Sequence, residues 1–97
     1  MEAIEMIEKV LKDKLGAVHV DILDESAAHR GHKAVGGGGH YTVVVVSPKF
    51  ENIGLLDQRR LVYGALEDEM NGTESTPKLI HALQIKSFTP EEWRKKA

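Results

Sequence analysis

The chain has 97 residues, 41% hydrophobic and 29% charged, with 13 Lys+Arg, 15 Asp+Glu and a formal net charge of −2. That length suits one domain, and the apolar fraction is too high for a disordered tail. The charge excludes recognition driven by bulk positive potential, and the absence of cysteine excludes a disulfide framework, a thiol nucleophile and a self-sufficient iron–sulfur site.

The first segment carries a helical period. Ile4, Ile7, Val10, Leu11 and Leu15 form one stripe, and Glu5/Lys9 and Glu8/Lys12 are i,i+4 pairs in the favourable order on the other face. The spacing predicts a helix over Glu2 to Leu15, ended by a left-handed Gly16. Val18, Val20 and Ile22 then alternate with His19 and Asp21, as in a strand. From Asp24 to Gly39 periodicity vanishes. The stretch 25–39 reads as a flexible loop, closed by Gly36 to Gly39. These glycines lead into a strand and not into a helix N-terminus, so they do not make a phosphate cradle.

His40 to Ser47 reads as a central strand, β-branched on both faces and ended by Pro48. Leu55, Val62, Leu66 and Met70, with Leu56 and Ala65, mark a second helix from about Leu55 to Met70, stopped at Asn71-Gly72. Tyr41, Phe50 and Tyr63 are expected in the core. After a polar loop over Thr73 to Lys78, alternation from Leu79 predicts a third strand, with His81 on its more apolar face beside Leu83 and Ile85. Thr89, Pro90 and Glu92 form a capping box that starts a terminal helix over Pro90 to Lys96, with Phe88 and Trp93 as a hydrophobic staple.

The expected fold class is α+β. The element order αββαβα gives a three-stranded mixed sheet, antiparallel between the first two strands and parallel between the second and third, with helices packed on one face. Residues 1–97 are expected to form a single domain. The longest apolar run, Val43 to Val46, cannot cross a bilayer, and the acidic, amphipathic start is neither a signal nor a transit peptide. A soluble, cytoplasmic protein follows as the expectation.

No Ser/His/Asp set or carboxylate pair stands out, so an enzyme is not expected. The histidines are the chemical candidates, because neutral imidazole is a borderline metal ligand. His29 and His32 lie in the loop, His40 closes it, and His81 sits on the third strand. Two such residues without thiolates fall short of a structural zinc site. Lys49, Arg59 and Arg60, with Lys86, Arg94, Lys95 and Lys96, are the candidates for a local basic surface.

Several stretches carry a family pattern: Val20-Asp21-Ile22-Leu23-Asp24-Glu25-Ser26, His40-Tyr41-Thr42-Val43-Val44-Val45-Val46-Ser47-Pro48-Lys49-Phe50-Glu51, Leu61-Val62-Tyr63-Gly64-Ala65-Leu66, Ile80-His81-Ala82-Leu83-Gln84-Ile85-Lys86, and Thr89-Pro90-Glu91-Glu92-Trp93. In this order and spacing the chain resembles the BolA-like family over nearly its whole length. The resemblance implies a class II KH-like fold and two functional themes. In the first, the protein pairs with a monothiol glutaredoxin and co-ligates a shared [2Fe–2S] cluster in iron–sulfur assembly, trafficking or iron regulation. Glutaredoxin and glutathione thiols supply the other ligands, and the isolated chain is expected to hold no cofactor. The implied ligands here are His81 and, from the loop, His29, with His32 and His40 as second-choice positions. In the second theme, such a protein is a DNA-binding transcriptional regulator of morphology and stress response, acting through the KH-like helix pair, with Lys49, Arg59 and Arg60 as the contacts. The free protein is expected to be a monomer or weak dimer.

The chain also departs from the pattern. The family's Arg-His-Arg triplet reads Gln58-Arg59-Arg60, and its Phe-Glu-Gly turn reads Phe50-Glu51-Asn52, so the Gly-x-x-Gly nucleic-acid clamp of KH domains is absent there. These departures weigh against the DNA theme.

Overall fold

The structure, a computed structural model, describes residues 3–25, 39–75 and 77–96. Most of the loop expected over 25–39, with His29 and His32, lies outside the described residues. In chain order come α1 (Ala3–Leu15), β1 (His19–Asp24), β2 (Gly39–Val46), a single 3-10 turn (Pro48–Phe50), α2 (Leu55–Ala65), α3 (Glu67–Asn71), β3 (Ile80–Phe88) and α4 (Pro90–Lys96). The sheet order is β1-β2-β3, with β1 antiparallel and β3 parallel to β2. This is the expected α+β, class II KH-like arrangement.

Alternation along β2 builds the core. Tyr41, Val43 and Val45 face the helices and meet Ile7, Leu11 and Leu15 of α1, Val62 and Ala65 of α2, and Leu66. Gly16 adopts the left-handed conformation, φ 60°, that ends α1. Ser47, fully buried, ties this end of α1 to the end of β2: its Oγ donates to the Leu15 carbonyl at 2.6 Å and accepts from the Lys49 N–H at 3.1 Å.

The second helix differs from the expectation in two ways. It breaks at Leu66 into α2 and α3, although Val62, Ala65, Leu66 and Met70 all pack on or into the core. The apolar period runs on across the bend, so the pattern held no sign of it. Its inward stripe also begins with Gln58, while Leu55, Leu56 and Tyr63 are exposed. Tyr63 is therefore not a core residue, unlike Tyr41 and Phe50. Gln58 is buried because it satisfies the turn before it. Its Nε2 donates to the carbonyls of Phe50 at 3.2 Å and Ile53 at 3.0 Å, and its Oε1 accepts from Ser87 Oγ at 2.6 Å.

Both departures from the family pattern thus have a structural account. Gln58 fills the first place of the basic triplet as a buried staple. Asn52, where the family has glycine, takes φ 65°, a left-handed conformation that asparagine tolerates better than most residues.

The α4 capping box forms as expected. Thr89 Oγ1 accepts from the Glu92 N–H at 3.2 Å and Glu92 Oε1 from the Thr89 N–H at 2.8 Å. Phe88 and Trp93 stand 5.4 Å apart, centroid to centroid. Helices α1 to α3 line one face of the sheet. The short α4 departs from the expectation that the helices pack on one face: it returns over one end of the other, where Trp93 stacks on His19 at 4.8 Å. No described helix is long and apolar enough to span a membrane.

Candidate functional site

Strands β2 and β3 run parallel, so both begin at the same end of the sheet. His40 is the second residue of β2 and His81 the second of β3. Their rings lie 5.2 Å apart, centroid to centroid, inclined by 53°. The register explains how they meet. Gly39 pairs with Ile80 but His40 pairs with Ala82, so β3 carries one extra residue at this point. Ile80 is fully buried, and the core-facing positions resume at Leu83 and Ile85. His81 is the residue displaced by the irregularity and is exposed. The sequence expectation that His81 shares the apolar face with Leu83 and Ile85 is therefore wrong, because strict alternation does not survive a bulge.

The surrounding backbone is well tied. The Glu25 N–H donates to the His40 carbonyl at 2.7 Å, and the Gly39 N–H to the Leu79 carbonyl at 3.0 Å. Thr42 Oγ1 donates to the Glu25 carboxylate and lies 3.3 Å from Gln84 Oε1. A cavity of about 280 Å³ lies beside His40, lined by Glu25, His40, Tyr41, Ala82, Leu83 and Gln84. The Tyr41 phenol is pushed above its ordinary value, first by burial and then by the Asp24 carboxylate.

Two imidazoles bound through nitrogen to one ion at a tetrahedral angle have ring centroids about 5 Å apart, given metal–nitrogen bonds of about 2.1 Å. The spacing of His40 and His81 fits that requirement. It is also incomplete. Among the described residues no group of three or more histidine, aspartate or glutamate side chains could hold an ion. A metal or cluster here needs further ligands from elsewhere, and a chain without cysteine cannot supply thiolates. Of the sequence candidates, the structure brings His40 to His81, whereas His29 and His32 lie outside the described residues. The parallel pairing of two strands that each begin with a histidine was the signal for this pair.

The three cations proposed for nucleic acid have separate engagements. Lys49 Nζ donates to the Lys14 carbonyl at 3.1 Å, at the end of α1. Arg60 pairs with Asp57 on its own helix at 3.3 Å. Arg59 lines a groove of about 380 Å³ between α2 and β3 with Tyr63, Leu83, Gln84, Ile85 and Lys86.

Comparison with known proteins agrees with this architecture. The model of the BolA-like protein family matches residues 11–92. The chain is 38% identical over 91 residues to the Arabidopsis thaliana protein BOLA2, covering 93% of this chain and 82% of that protein. It is 32% identical over 89 residues to the Escherichia coli K12 protein named DNA-binding transcriptional regulator BolA, covering 92% and 77% respectively. Among solved structures, the BolA domain of SufE1 from Arabidopsis thaliana superposes with a TM-score of 0.74 at 32% identity, covering 91% of this chain and 92% of that one. The matched residues run from the latter part of α1 into the first turn of α4 and take in the whole sheet: this chain belongs to the BolA-like family.

Proposed function

We propose that the chain is a non-enzymatic partner of a monothiol glutaredoxin and contributes histidine nitrogen to a shared [2Fe–2S] cluster. The observation that carries this reading is the approach of His40 and His81 at the open end of β2 and β3. His81 is the primary ligand and His40 its nearest companion. His29 and His32 compete with His40 for the second role. The occurrence of a BolA domain within a SufE-like protein supports a place beside iron–sulfur machinery.

The chain's own residues do three things. The β2–β3 ladder fixes the position of His81, and the Glu25–His40 backbone bond fixes that of His40. The bulge turns His81 out toward a partner. The lack of cysteine leaves the thiolate positions to glutaredoxin and glutathione. When the cluster is bound, imidazole at one iron raises the reduction potential above that of an all-thiolate site.

The test is anaerobic reconstitution with a monothiol glutaredoxin, iron, sulfide and glutathione, followed by visible absorption and circular dichroism. The expected result is a spectrum distinct from that of the glutaredoxin homodimer, lost in His81→Ala. Whichever of His40→Ala, His29→Ala and His32→Ala alters it identifies the second ligand. A spectrum indifferent to the presence of this chain overturns the reading.

The name of the Escherichia coli relative supports a second reading, DNA-binding regulation. Gel shifts at two salt concentrations test it. Binding through Lys49, Arg59 and Arg60 weakens with salt and with each substitution to Ala. Binding that withstands all three substitutions removes those residues from the reading.

A further inference from the structure

β3 is an outer strand, since the sheet ends with it, and its backbone groups alternate in direction. The Phe88 carbonyl accepts from the Ser47 N–H at 3.1 Å, so Phe88, and with it Lys86 and Gln84, point toward β2. The Leu83 carbonyl accepts instead from the Tyr63 hydroxyl at 3.4 Å. Leu83, Ile85 and Ser87 therefore direct N–H and C=O away from the sheet, along the groove between α2 and β3.

Sheet edges are usually blunted by proline, a bulge, a charged side chain or a covering element. Between Leu83 and Ser87 there is no proline, the strand's irregularity lies back at His81, and the one charge is Lys86, which repels a basic strand but not an acidic one. Tyr63 meets only the first carbonyl. The groove is lined by two cations, Arg59 and Lys86, and among the described residues neither forms an ion pair. In a chain of net charge −2 this is a local exception.

We propose that this edge docks an extended, acidic segment of a partner protein, which adds to the sheet as a fourth strand. A second copy of this chain fits poorly, because pairing two β3 edges brings the same cations together. A nucleic-acid backbone also fits poorly. Phosphate only accepts hydrogen bonds, so it faces the Ile85 and Ser87 carbonyls without a donor, whereas a peptide strand satisfies both N–H and C=O. Acidic side chains on the incoming strand meet Lys86 on the open face and Arg59 on the helix side. The inference rests on the edge alone and does not depend on cluster ligation.

The experiment uses the full chain, ¹⁵N-labelled, without glutaredoxin. It is titrated with the acetylated, amidated heptapeptide Glu-Glu-Val-Val-Glu-Glu-Val, which as a strand presents Glu on both faces. The amides of Leu83, Ile85 and Ser87 are expected to shift, and those of Ile85 and Ser87 to exchange with solvent at least tenfold more slowly. Arg59→Glu with Lys86→Glu is expected to weaken binding more than tenfold and to favour the same heptapeptide with Lys in place of each Glu. Both residues are exposed, so the fold tolerates the change. Equal affinity for the peptide N-methylated at every residue overturns the proposal, because strand addition needs the N–H groups along one peptide edge. So does an oligo-dT strand that shifts the same amides more strongly than the peptide.

Discussion

Replacing Gln58 with Met tests whether a buried amide holds the site's supporting helix in place. The two side chains are similar in length, so the change removes hydrogen bonds with little change in packing. The amide is committed to three partners: the Phe50 and Ile53 carbonyls through Nε2, and the Ser87 hydroxyl through Oε1. At about 0.5–1.5 kcal/mol net per bond, with buried partners left unpaired, the expected loss is about 2–4 kcal/mol. Total stability for a chain of this length is only about 5–15 kcal/mol. Urea denaturation should show the loss as a lower midpoint with an unchanged m-value. The thermal midpoint should fall by about 4–8 °C per kcal/mol. Ser87→Ala alone should cost about 1 kcal/mol, and the double variant should cost less than the sum, because both changes delete the same bond. A Gln58→Met variant within about 0.5 kcal/mol of the parent, smaller than one net hydrogen bond, refutes the reasoning. So does strict additivity with Ser87→Ala.

Thr89→Ala removes the side-chain half of the α4 capping box and should cost about 1 kcal/mol; Trp93 emission should shift to the red as its stacking on His19 loosens. Gly72 holds φ 77°, ψ 151°, and a Cβ added there would meet the Lys78 nitrogen at 3.3 Å. Gly72→Ala should therefore destabilise by about 1–3 kcal/mol in the same denaturation assay. The Tyr41 phenol, raised by burial and secondarily by Asp24, should ionise above the ordinary value of about 10 in an absorbance titration. Its stabilising contribution is fully present below that ordinary value and is lost as pH rises through the higher folded value. Asp24→Asn should bring the titration only part of the way down, since burial remains.

The parts of the fold that local chemistry decides were readable in the chain. Thr89, Glu92, Phe88 and Trp93 need only each other, so the start of α4 was plain from spacing. The β2 run, buried between neighbours, was equally clear. The misreadings have one kind of cause, a tertiary contact that overrides a local pattern. Alternation placed His81 inward because a bulge leaves no mark in composition. The apolar period ran on across the bend at Leu66. Leu55 and Leu56 looked like the start of the buried stripe, but the staple formed by Gln58 takes the inward place.

The candidate site was half legible. His81 stood out by its strand position, and the family pattern pointed to a loop companion. That His40 lies beside His81 was hidden, because sequence distance conceals what parallel pairing does. Strands that run the same way begin at the same end, so their first residues meet however long the connection. Arg59, a nucleic-acid candidate by sequence, lies in the groove beside the β3 edge with Lys86, a juxtaposition that only the fold reveals.

In the proposed function, histidine nitrogen from this chain reaches an iron of the cluster shared with glutaredoxin. The most direct test labels only this chain with ¹⁵N-histidine, reconstitutes the cluster with unlabelled glutaredoxin and glutathione, reduces it, and records pulsed electron paramagnetic resonance. Strong ¹⁵N hyperfine couplings that vanish with His81→Ala are expected. A reduced cluster in the heterodimer with no ¹⁵N coupling contradicts that ligation.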